Sequence, residues 1–237
     1  MKTRQSILTG AALASLAALS ACGPKAPPPA LPPPPVVVVP PQPMPPRGAS
    51  PLMETPPIDA MGVRRTVNTG LSPVQITWNL RSAYNVAALN CLHPEHAQIL
   101  VNYRAFLKAQ AKPLAAVNKA VDQEFKARNG ARYIPAREEY MTQVYNYFAL
   151  PPTLPAFCDA ALTMSNEAAS VKPADLEAFA ARSLPAIEQV FLRFYTSYDQ
   201  YRVDLAGWQA KYTVPGATPA AALIPPPALP RQASASK

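Results

Sequence analysis

Proline fits badly inside a helix or a sheet, because it lacks the amide donor and its ring collides with the preceding turn. The chain has 237 residues, and the placement of its 31 prolines divides it into three parts. Sixteen lie between Pro24 and Pro57, six between Pro215 and Pro230, and only nine between Pro73 and Pro185. The first block carries few charges (Lys25, Arg47 and Glu54) and few groups able to build a core. It predicts a solvated polyproline-type spacer reaching on the order of 100 Å when fully stretched. Val36 to Val39 interrupt it, and the flanking prolines favour an unpaired extended segment there over a docking strand. Residues 214–237, rich in proline, alanine and serine, predict a disordered tail.

The sparse prolines of the middle fall where helices begin. Ser72-Pro73-Val74-Gln75 is a capping signal, with a serine cap, proline at the first helical position and glutamine at the third. Behind it Ile76, Leu80, Ala83, Ala87 and Cys91 recur at helical steps, which predicts one buried stripe. Pro94, Pro113, Pro135, Pro155 and Pro173 each open a further helix. Asn129-Gly130 supplies a stop for the third helix, and Asp175 and Glu177 suit the first turn of the sixth. Pro185 is expected to kink or restart that helix. Beyond it Ile187, Phe191, Phe194, Tyr198, Tyr201, Leu205 and Trp208 form a seam at alternating four- and three-residue steps. Such a seam packs along another helix, in a coiled-coil dimer or within the same chain, and the second is preferred because short neighbouring helices need a long partner. No alternation long enough for a sheet occurs. The fold class expected is all-α, a single bundle of about six helices over residues 72–213 with a long kinked C-terminal helix, flanked by proline-rich disordered segments.

The first residues read as a targeting signal. Lys2 and Arg4 precede an uncharged apolar stretch from Ile7 to Leu19, too short for a stable membrane-spanning helix. Leu19-Ser20-Ala21-Cys22 then resembles the lipobox of bacterial lipoproteins. The resemblance covers residues 1–22 only. It implies removal of residues 1–21, a diacylglycerol on the Cys22 thiol and acylation of the new amine. Residues 22–71 become a lipidated cysteine followed by a linker. Several acyl chains make a stable anchor, at about 0.8 kcal/mol for each buried methylene. Gly23 replaces the aspartate that retains such proteins in the inner membrane. Similarity therefore favours an outer-membrane lipoprotein that faces the periplasm or, alternatively, the cell surface.

With Cys22 lipidated, Cys91 and Cys158 remain of the three cysteines. An oxidising periplasm permits them to bond, stabilising the fold by about 4 kcal/mol on the chain-entropy estimate. The alternative is two buried thiols.

Candidate chemistry is thin. His93-Pro94-Glu95-His96 places two histidines three apart, yet no further histidine exists to complete a metal site. The simpler reading is a helix-capping His93 and an exposed His96. Glu138 and Glu139, after Arg137, are the acids on which a cell-wall hydrolase or lyase would depend, but adjacent acids on a helix point apart. No nucleophile elbow, haem motif or phosphate loop is present, so no catalytic residue, metal or cofactor is assigned. The basic excess gathers at Arg104, Lys108, Lys112, Lys119, Lys126, Arg128, Arg132 and Arg137, against Asp122 and Glu124. In an envelope this suits anionic head groups, lipopolysaccharide phosphates, wall polymers or other envelope proteins, and not nucleic acid. Tyr133, Tyr140, Tyr145, Tyr147, Tyr195, Tyr198 and Tyr201 either pack in the core or line a groove. The function expected is non-catalytic binding or scaffolding by a lipid-tethered helical domain, with a wall-active enzyme or an apolar-ligand carrier as rivals.

Overall fold

The computed structural model of the chain describes residues 39–213. The signal stretch, Cys22, the first prolines through residue 38 and the tail from residue 214 lie outside the described residues. Among the described residues six α-helices form: α1 Pro73–Asn90, α2 Gln98–Ala109, α3 Ala111–Asn129, α4 Tyr133–Phe148, α5 Leu154–Ala168 and α6 Leu176–Tyr212. Among the described residues no strand forms; one isolated bridge, Ile58 to Arg64, closes a turn before α1. The protein is all-α.

The capping box at the start of α1 is complete. Ser72 Oγ accepts from Gln75 N, and Gln75 Oε1 accepts in return from Ser72 N, both at 3.2 Å. From this cap α1 runs through the centre and touches each of the other five helices. A helix surrounded in this way cannot keep one polar face. Trp78, Leu80, Tyr84, Val86 and Ala88 are buried along with Ala83 and Ala87, so the single stripe read from the sequence is too narrow. Two buried polar residues of α1 bond back onto the helix itself, Thr77 Oγ1 donating to Pro73 O at 3.1 Å and Ser82 Oγ to Trp78 O at 2.9 Å.

The prolines do mark helix starts. Pro73 and Pro155 stand in the first two positions of α1 and α5, while Pro94, Pro151 and Pro173 lie in short 3-10 turns leading into α2, α5 and α6. Pro113 and Pro135 are third residues of their helices, still within the turn whose amides have no partner. At Gly130, φ is +55°, which a residue bearing a Cβ would resist, and α3 ends there. Pro185 does not restart a helix. α6 continues through it as one element of 37 residues. The ring lies on the exposed side, and the burial of Leu184 and Ile187 on either side holds the helix against the lost hydrogen bond.

The linker expected to extend to residue 71 gives way to packed structure well before it. Residues from Pro40 onward belong to the same compact unit as the helices, and residues 40–68 are held to α6 at several points. The Trp208 indole donates to Pro40 O at 2.8 Å, the Tyr198 hydroxyl to Ser50 O at 2.7 Å, and the Arg202 guanidinium to Met53 O at 2.7 Å. Further along, Arg64 pairs with Asp199, and Thr66 and Asn68 reach Glu188. A proline-rich chain has few amides to donate, so it cannot join a sheet. Its carbonyls remain, and α6 supplies the donors. The seam of α6 therefore has two partners: α1 and α5 over its first half, and this strap over Tyr198 to Trp208.

Candidate functional site

Of the eight basic positions, seven are exposed: Arg104 and Lys108 on α2, Lys112, Lys119, Lys126 and Arg128 on α3, and Arg132 in the turn after it. The α3 lysines are seven residues apart, and since a straight helix drifts by about 20° per heptad they share one stripe. Among the described residues neither these lysines nor Arg104, Lys108 and Arg132 form an ion pair. The local acids are engaged elsewhere. Asp122 pairs with the half-buried Arg137, and Glu124 accepts from Arg128 at 3.2 Å and from Ser72 Oγ at 3.0 Å. α3 buries only Val121 and Phe125. It is the peripheral helix of the bundle and presents an unneutralised cationic edge.

Cys91, which caps the end of α1, and Cys158 in α5 are joined as a disulfide with their Cα atoms 5.5 Å apart. Beside it, the structure corrects the view of His96 as exposed. Its ring is buried, with Nε2 2.9 Å from Asp159 Oδ1, because the 3-10 turn at Pro94–His96 folds it under α5. His93 is exposed and makes no side-chain cap. Glu138 and Glu139 stand on the solvent side of α4.

The tyrosines divide. Tyr147, Tyr195, Tyr198 and Tyr201 are buried, and Tyr133, Tyr140 and Tyr145 half-buried. Two of them, Tyr140 and Tyr147, belong to a polar network that sequence reasoning missed. Glu188 of α6 is only 8% exposed, and among the described residues no cation pairs with it. Thr66 Oγ1 donates to it at 2.6 Å, the Tyr147 hydroxyl at 2.9 Å, and the Asn68 amide also donates. Asn68 Oδ1 accepts in turn from Asn79 at 2.9 Å, and Asn79 Oδ1 from Tyr140 at 2.6 Å. Burial and the Glu188 charge push the Tyr147 phenol far above its ordinary value, and the same two causes push Tyr195 up to about 12. Tyr140 is pushed up to about 12 as well, chiefly by burial. The network fastens the strap, α1, α4 and α6 to one another. Glu188 follows Leu184 by four residues and precedes Phe191 by three, a spacing that marks an acid on a buried face.

The clefts found among the described residues are open ones, of about 280 to 440 Å³. No group of three His, Cys, Asp or Glu side chains is placed to hold a metal ion among those residues, and no described helix is long and apolar enough to cross a membrane. The chain matches no family model, no curated protein and no solved structure.

Proposed function

We propose that the chain is a lipid-anchored cell-envelope protein whose helical domain binds or scaffolds without catalysis, tethered through Cys22 to the outer membrane and facing the periplasm. The observation that carries the binding role is the stripe of Lys112, Lys119 and Lys126, exposed and without acid partners among the described residues. Such a stripe suits an anionic envelope component, a head group, a lipopolysaccharide phosphate or a wall polymer. The Cys91–Cys158 bond supports an oxidising compartment. Seventeen residues, eight of them proline, stand in the sequence between Cys22 and the compact unit that begins at Pro40. Tethering through Cys22 raises the local concentration of the basic face near the membrane.

The test is fractionation of envelopes followed by crosslinked capture, comparing the natural chain with Cys22→Ala. The natural chain is expected to stay with membranes after a high-salt wash and Cys22→Ala to leave them. Retention of the variant would end the anchoring proposal.

A further inference from the structure

Between α1, the α2–α3 junction and α4 lies an open cleft of about 360 Å³, a volume at the small end of ligand sites. Trp78, Leu107, Leu114, Val117 and Met141 supply its apolar side, and Arg81 and Asn118 its polar side, the Asn118 oxygen already accepting from Arg137. Arg81 is half-buried, and the only side chain bonded to it among the described residues is Tyr145, through its hydroxyl at 3.0 Å. Among the described residues it makes no ion pair. A guanidinium set against apolar walls normally finds a carboxylate, because its remaining N–H groups need charged or polar partners. Here none is near in the chain either. From Pro73 to Val121 the single acid is Glu95, in the turn before α2, against Arg81, Arg104, Lys108, Lys112 and Lys119.

We infer that this cleft is a binding site for a single-chain amphiphile with an anionic head, the head on the Arg81 guanidinium and the chain along Trp78, Leu107 and Met141. A carboxylate or a phosphate monoester meets the planar fork equally well, and the walls replace water around the chain. The inference deepens the binding role proposed above, rests on it for the setting in which such amphiphiles occur, and uses a different surface, so the two fail separately.

The test uses the full-length chain with Cys22→Ala, so that no acyl group of its own competes. Trp208→Phe removes the second of the two tryptophans. Trp78 fluorescence is then followed against decanoate, decyl phosphate and decanol, all below their micelle-forming concentrations. Saturable binding of one or both anions is expected, with decanol at least tenfold weaker. The relative affinity of decanoate and decyl phosphate identifies the head group. Arg81→Gln should weaken the anions at least tenfold, and Ala115→Phe, which fills the cleft from an exposed position, should abolish binding with Arg81 intact. Unchanged melting temperatures show that both variants fold. Lys112→Gln/Lys119→Gln/Lys126→Gln should leave decanoate affinity within twofold, which separates this site from the α3 stripe. Equal binding of decanol, full affinity in Arg81→Gln, or no saturable change with either anion would overturn the inference.

Discussion

Among the described residues Glu188 accepts from three neutral donors and from no cation, so its removal takes the acceptor from the buried Tyr147 and from the half-buried Thr66 and Asn68. An orphaned buried donor costs about 1–3 kcal/mol. Glu188→Ala should therefore lower stability by about 3 kcal/mol in urea denaturation, and Glu188→Gln, which keeps an acceptor, by about 1 kcal/mol. The tyrosines around it set an alkaline limit. Tyr140 and Tyr195, held up to about 12, and Tyr147 beyond them stay protonated in the fold where an unfolded phenol ionises near 10.0. Their contribution is fully present below pH 10 and is lost as the pH rises through the raised values, because the unfolded chain then gains by ionising. Melting temperature should hold steady to about pH 9 and fall steeply between about pH 10 and 12. A flat profile through that range would contradict the burial of these phenols. The spacing of Glu188 was visible in the sequence, but its partners were not: Thr66, Asn68 and Tyr147 come from two other segments, and only the fold brings them together.

At the scale of elements, the disulfide and the strap do different work. Cys91 and Cys158 are 67 residues apart, and by the chain-entropy estimate closing that loop stabilises the fold by about 4 kcal/mol. The double change Cys91→Ser/Cys158→Ser should lose about that much, with the same helical circular dichroism before unfolding. The strap instead hangs on single contacts. Tyr198→Phe deletes the hydroxyl that donates to Ser50 O and accepts from Met53 N. Limited proteolysis should then cut residues 40–60 several-fold faster while the helices resist as before. An unchanged cleavage pattern would mean that the strap is held without Tyr198. The helices were legible in the sequence because their signals are local: the Ser72 cap, a proline in the first turn, the glycine after α3. The strap was not, because its composition matches that of a solvated spacer. What orders it is the donor set on α6, about 150 residues later in the chain. The burial of α1 over most of its surface escaped for a related reason, since small residues such as Ser82, Ala83 and Ala87 carry little periodic signal and their burial comes from five neighbours.

Seen whole, the molecule keeps its cationic edge on the peripheral helix α3 and its N-terminal strap on the long helix α6. Changing Lys112, Lys119 and Lys126 together to glutamine should weaken binding to anionic vesicles at least tenfold and flatten its dependence on salt, without lowering the melting temperature. Equal affinity in that variant would remove α3 from the binding role. The central claim concerns Cys22, ahead of the strap in the sequence, and intact mass analysis of the chain purified from its own envelope tests it most directly. The account predicts a chain that begins at Cys22 and carries the mass of a thioether-linked diacylglycerol with an acylated amine. A chain that retains residues 1–21, or one whose first cysteine is an unmodified thiol, would contradict it.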